Sequence, residues 1–185
     1  MDQHQQLIKD CINGNKWAQY RLYELFAPAM LAVCYRYTKS LEDAEDVLQD
    51  GFIKVFHNLK QVKEAKQLQG WIKRIMINTA ITYLKTHNRY KNDLSIGEIN
   101  VHPISDEQPD ITIQTKDLAD IIRDLPTAYQ LIFNLISIEG FSYQEVCDLL
   151  QMNINTVRSQ YSRARAMLIQ KLTQTNYIKS ASHVK

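Results

Sequence analysis

Cysteine is scarce in this chain, and what there is sits badly for chemistry. Cys11, Cys34 and Cys147 are odd in number, far apart in sequence and never in a CxxC pair. They read as reduced, buried thiols of a cytosolic protein, not as a disulfide framework or a metal site. The opening residues MDQHQQLIKD lack a basic n-region and an apolar core, so no secretory signal is expected. No apolar run approaches the ~20 residues needed to cross a bilayer, which excludes membrane insertion by a helix. There is no P-loop, no nucleophile with a paired base and no metal-ligand cluster. The chain is therefore expected not to be an enzyme and to need no cofactor. Charge of one sign is also lacking overall, since 22 Lys and Arg stand against 20 Asp and Glu for a net charge of +2. Any nucleic-acid surface must come from segregating charges and not from an excess of them.

Segregation is present. Residues 141–172, FSYQEVCDLLQMNINTVRSQYSRARAMLIQKL, contain no Asp or Glu after position 148. Ser142 and Glu145 form a capping-box pattern that starts a helix at about Tyr143. Val146, Leu149 and Leu150 give that helix an apolar side, and Gln151, Met152 and Asn153 break it as a short turn between two helices does. Asn155 is placed to cap the second helix. There Val157, Tyr161, Ala164 and Leu168 make an inward stripe, leaving Arg158, Ser159, Ser162 and Arg163 outward. Cations interleaved with hydroxyls suit phosphates and guanine edges in a major groove.

In the N-terminal half, a short amphipathic helix runs over about 3–11 and stops near Gly14. Trp17, Tyr20, Leu22, Leu25 and Phe26 populate a second, which Pro28 is expected to break or kink. Tyr20, Tyr23, Tyr35 and Tyr37 fall at helical spacing beside Leu and Met, and are assigned to the core in preference to a base-stacking platform.

The segment 40–59, SLEDAEDVLQDGFIKVFHNL, opens on a Ser40/Asp43 capping pattern. It repeats apolar residues at Leu41, Ala44, Val47, Leu48, Phe52, Val55, Phe56 and Leu59. Its other side gathers Glu42, Asp43, Glu45, Asp46, Gln49 and Asp50, placed where the helix dipole favours anions. There is no ExxH pair here to suggest a metal. Gly51, in the helix interior, costs ~1 kcal/mol relative to alanine and implies a packing constraint. Residues 71–91, WIKRIMINTAITYLKTHNRYK, invert the sign: Lys73, Arg74, Lys85, Arg89 and Lys91 stand without an acid. Arg74, Asn78, Thr82, Lys85 and Arg89, three or four apart, line a cationic polar face fit for unstacked bases and their phosphates.

These motifs resemble a known family. DAEDVLQDGF at 43–52, WIxxIxxN at 71–78, and LPxxYQxIFxL through TVRSQYSRAR in the last third are similar, in the same order, to bacterial sigma factors of the sigma-70 family, extracytoplasmic-function group. The resemblance covers about residues 18–172 apart from the linker. It implies that Asp43, Glu45, Asp46, Gln49 and Asp50 dock on the clamp of core RNA polymerase. It implies that Lys73, Arg74, Asn78, Lys85 and Arg89 meet the melted -10 strand of promoter DNA. It implies that Asn155, Thr156, Arg158, Ser159, Ser162 and Arg163 read the -35 duplex, and that an anti-sigma factor is a further partner. Leu68, Thr82, Gln151 and Asn155 depart from the family's usual aromatic, aspartate and glycines. Gln160 replaces a usual arginine, so that one phosphate contact is expected to be missing.

Residues 92–111 hold Asp93, Glu98, Asp106, Glu107, Asp110 and two prolines with no Lys or Arg, as a flexible acidic linker would. The resulting expectation is an all-α protein of two helical domains: 1–92, sigma region 2-like, and 112–173, sigma region 4-like, joined by the linker 93–111. The polar tail 174–185 is expected to be frayed. It would act in the cytoplasm as a promoter-specificity subunit. Two rivals have different signatures. A helix-turn-helix regulator with a ligand-sensing or dimerising N-terminal domain would bind palindromic half-sites, and a helical metal-dependent hydrolase would need ligands on the acidic helix.

Overall fold

The computed structural model describes residues 3–62, 64–87 and 115–182, with the side chains of 5–62, 64–87 and 118–174. Every regular element among these residues is helical, and the chain divides into two units, Met1–His87 and Asn88–Lys185. Arg89, Lys91 and the acidic linker 93–111 lie outside the described residues.

In the first unit, α1 (Gln3–Ile12) buries Ile8 and Cys11 and gives way at Gly14, whose φ of 80° lies in the left-handed region open to glycine. The Asn15 side chain then caps α2 (Lys16–Tyr35), accepting from the N–H groups of Trp17 (3.0 Å) and Ala18 (3.1 Å). Ala18, Leu22, Phe26, Met30 and Val33 form its inner stripe. Of the break or kink expected at Pro28, a break does not occur: the helix continues through it. Pro28 is exposed, so the Glu24 carbonyl that loses its intrahelical donor faces solvent, where the loss is cheapest.

α3 (Leu41–Asn58) starts at Ser40, whose Oγ accepts from the Asp43 N–H at 3.1 Å. α4 (Leu68–Thr86) follows two single 3₁₀ turns, Leu59–Gln61 and Ala65–Gln67. α2, α3 and α4 pack on one another and α1 packs on α2. Tyr37 and Thr38 fill the α2–α3 corner, where the Thr38 hydroxyl reaches the carbonyls of Cys34 and Ser40. Burial pushes the Cys34 thiol up to about 12; burial and then the Asp10 charge push that of Cys11 up to about 11, so both stay protonated at neutral pH.

The tyrosines do not all go inside. Tyr37 is fully buried and Tyr35 half-buried, but Tyr20 is 57% and Tyr23 36% exposed, and Trp17 beside them is 70% exposed. At 100° per residue, positions 17 and 20 lie across the helix from Ala18, Leu22 and Phe26, so they cannot share that stripe. Trp17 instead lies under the Arg21 guanidinium at 5.6 Å, and the Tyr20 hydroxyl donates to Glu24. Leu41, counted in the α3 stripe, is likewise exposed, because it stands at the helix's first position.

In the second unit, α5 (Thr115–Arg123) ends before Leu125 and Pro126. α6 (Thr127–Phe133) runs on as a π-helical turn, Asn134–Ile138, and ends at Gly140, with φ 77°. α7 (Tyr143–Leu150) and α8 (Ile154–Ser182) follow. Ile122, Leu125, Tyr129, Ala164 and Leu168 form a core between α5, the start of α6 and α8. The tail 174–185, expected to fray, continues α8 as far as Ser182, with no proline or glycine to interrupt it.

Candidate nucleic-acid and protein-docking surfaces

The acidic side of α3 is a real exposed face. Glu42, Glu45, Asp46, Gln49 and Asp50 are all exposed, while Ala44, Val47, Leu48, Gly51, Phe52 and Val55 are buried opposite them. Asp43 differs from its neighbours. It is half-buried, and the Tyr83 hydroxyl of α4 donates to its Oδ1, so part of its hydrogen-bonding capacity is spent inside the unit. The sequence did not single out Ile53, 54% exposed and one turn beyond Gln49. Its signal was an apolar residue falling on the polar stripe. Among the described residues no group of three or more His, Cys, Asp and Glu is arranged to hold a metal ion. None of the described helices is long and apolar enough to cross a membrane.

On α4, Arg74, Asn78, Thr82 and Lys85 are exposed together, within about 80° of one another around the helix. Lys73 is about 100° away from Arg74 and half-buried, so it does not join this face. The Thr82 hydroxyl donates to the backbone carbonyl of Asn78 at 2.9 Å, and the Asn78 side chain is exposed. Beneath the face, Lys54 Nζ of α3 donates to the buried Thr79 hydroxyl at 3.1 Å and joins α3 to α4. The acidic face and the cationic face are thus carried by two helices cross-linked twice, through Asp43–Tyr83 and Lys54–Thr79.

The helix-turn-helix has the local chemistry that the sequence implies, with two corrections. The capping box at Ser142 and Glu145 is complete, with Ser142 N–H to Glu145 Oε2 at 2.8 Å and Glu145 N–H to Ser142 Oγ at 3.3 Å. Gln151 ends α7 at φ 59° and ψ 47°, a left-handed position where glycine is the easy choice. Its side-chain amide offsets part of that cost by donating to the Asp148 carbonyl at 2.6 Å. The cap of α8 is Asn153 and not Asn155: Asn153 Oδ1 accepts from the Asn155 N–H at 2.8 Å, and α8 has begun by Ile154. Asn155 already lies in the first turn, with its side chain exposed.

Asn155, Thr156, Arg158, Ser159, Ser162 and Arg163 all come out exposed, spread over about 160° of α8. Ser159 donates to the Thr156 carbonyl at 3.0 Å. The second correction is Gln160, expected on the phosphate side. It is 8% exposed, on the inner side with Val157 and Ala164. Gln160 therefore faces the core and is not placed to contact a phosphate. Tyr161 is half-buried: it stacks on Phe133 (6.2 Å), meets Tyr143 edge-on (5.9 Å) and shares a 2.9 Å hydrogen bond with Ser137.

Comparison with known proteins matches both units. A family model described as Sigma-70 region 2 fits residues 22–90, and one described as Sigma-70, region 4 fits residues 115–168. The ECF RNA polymerase sigma-E factor of Haemophilus influenzae is 26% identical over 179 residues, covering 91% of this chain and 94% of the relative. The RNA polymerase sigma-H factor of Pseudomonas aeruginosa is 27% identical over 175 residues, covering 89% and 91%. Among solved structures, the sigma factor RpoE of Bartonella quintana, crystallised with the anti-sigma factor NepR, aligns with a TM-score of 0.51 at 23% identity, over 84% of this chain and 96% of that one. That likeness is one of fold.

Proposed function

The chain belongs to the sigma-70 family, in its extracytoplasmic-function group, and from that membership we propose that it is a dissociable promoter-specificity subunit of RNA polymerase. Glu45, Asp46, Gln49 and Asp50 on α3 dock on the clamp of the core enzyme, with Asp43 contributing from the edge. Arg74, Asn78 and Lys85 on α4, with Arg89 beyond it, meet the -10 strand once it is unpaired. Asn155, Thr156, Arg158, Ser159, Ser162 and Arg163 on α8 read the -35 duplex. Nucleotide addition is left to the polymerase. The protein works in the cytoplasm, and an anti-sigma factor is its natural antagonist.

The observation that carries this reading is the order and sign of the exposed faces. An acidic face and a cationic face on two cross-linked helices lie inside the segment matched by region 2, and an acid-free helix face lies inside that matched by region 4. Carboxylates suit a protein docking site; planar amides and cations suit unstacked bases; an exposed helix with arginines and hydroxyls suits a major groove. The test is retention of core polymerase on the immobilised full chain. The double variant Asp46→Lys/Asp50→Lys should keep its helix content by circular dichroism and lose most of the retained polymerase. Retention equal to the parent chain would overturn the docking assignment.

A further inference from the structure

The Arg158 guanidinium lies 5.7 Å from the centre of the Tyr143 ring and over it. Tyr143 opens α7, directly after the capping box that fixes its backbone. Its ring is held in turn: Tyr161 meets it edge-on at 78°, and Tyr161 is pinned by Phe133 and by the Ser137 hydroxyl. The contact therefore joins a residue on the outer face of α8 to a braced aromatic group rooted in α6, its π-turn and α7. Arg158 has no hydrogen bond or ion pair among the described residues.

We propose that Tyr143 is a positioning residue for -35 recognition, holding the Arg158 guanidinium ready for a base edge. The proposal rests on the assignment of Arg158 to the -35 duplex. A cation resting on the face of a ring spends none of its N–H groups on that contact, so the planar fork keeps all its donors for guanine O6 and N7. Restricting a long side chain before binding also lowers the ordering cost met on the DNA. Arg163, exposed on the other flank of the same face, has no such ring among the described residues, so base discrimination is concentrated at Arg158. The sequence pattern alone treats the two arginines as equivalent.

Two measurements on the full chain test this. In the ¹⁵N-labelled protein, the Arg158 Nε–H resonance should be shifted upfield by the ring. Tyr143→Phe should preserve the shift and Tyr143→Leu should abolish it. In the second, the chain assembled with its core polymerase selects from a duplex library randomised over the upstream element. Arg158→Ala should reduce preference for the selected guanine by about tenfold, within the range of one bidentate contact. Tyr143→Leu should reduce it several-fold at the same base pair, Tyr143→Phe should restore it, and Tyr143→Leu should add nothing in the Arg158→Ala background. Equal weakening by Tyr143→Leu in both backgrounds would show a merely structural role and overturn the proposal. A selection altered by Arg158→Ala but not by Tyr143→Leu would overturn it while sparing the -35 assignment. A selection unchanged by Arg158→Ala would overturn both.

Discussion

Met76 of α4 occupies the space in which a side chain on Gly51 of α3 would begin. A Cβ at position 51 would overlap the Met76 Sδ and stand 3.0 Å from its Cε, and Met76 is itself fully buried. This is the packing constraint behind a glycine in mid-helix, and it sets how closely α3 approaches α4. Gly51→Ala gains ~1 kcal/mol in helix propensity but overpacks a filled core, which costs ~1–3 kcal/mol. The net expectation is a loss of about 1 kcal/mol in the unfolding free energy of the first unit. In a Met76→Ala background the same change should become neutral or stabilising, a coupling that denaturant titration of the four variants measures.

Tyr83→Phe removes the hydroxyl that donates to Asp43 and leaves the ring in place. The expected cost is about 1 kcal/mol, somewhat more if the carboxylate is left poorly solvated. Core-polymerase retention should stay near that of the parent chain, in contrast with Asp46→Lys/Asp50→Lys. Parallel denaturation curves and pull-downs separate the contribution of the Asp43–Tyr83 hydrogen bond to stability from that of Asp46 and Asp50 to the proposed docking.

Gln160 carries an amide oxygen that is buried without a hydrogen-bond partner among the described residues. An unsatisfied buried acceptor costs ~1–3 kcal/mol, so Gln160→Leu should raise the midpoint of thermal unfolding of the second unit. Binding to upstream duplex should not change, because position 160 faces the core. A weakened gel shift with this variant would restore Gln160 to the DNA face.

The two DNA surfaces should fail in different assays. Arg158 and Arg163 project from a helix suited to an intact groove, where a bidentate arginine–guanine pair discriminates by ~1–3 kcal/mol. Asn78 lies among groups suited to bases already out of the stack, and unstacking costs a few kcal/mol that duplex binding never meets. In the assembled holoenzyme, Asn78→Ala should keep upstream duplex binding and lose strand opening, and a template pre-melted at the -10 position should partly restore initiation. Arg158→Ala should lose duplex binding and respond much less to pre-melting. Permanganate reactivity of unpaired thymines beside gel-shift binding decides the matter; identical defects would refute the division of labour.

Much of this was legible in the chain. Ser40, Ser142 and Glu145 are caps whose partners lie three residues away, and runs such as Ala44–Val47–Leu48 declare a helix face within two turns. The signs of the α3, α4 and α8 faces are also local facts, since 3.6 residues per turn fixes which side chains emerge together. Local interactions set these features, so the sequence alone determined the helices, their exposed faces and the two matching regions. It misjudged the side where apolar character was counted without its angle, as at Tyr20, Tyr23 and Leu41, or where a polar residue turned inward, as at Gln160.

What the tertiary structure alone decided are pairings between helices. Gly51 and Met76 are 25 positions apart, Asp43 and Tyr83 are 40, and no periodicity within one helix can state which residue of another will stand against it. The same holds for Arg158 over Tyr143: both residues were visible in the sequence, but the ring lies across a turn whose geometry depends on Gln151 adopting a left-handed backbone. Helix formation is set by neighbours along the chain, whereas the choice of partner is set by how filled volumes and braced rings meet when the helices pack.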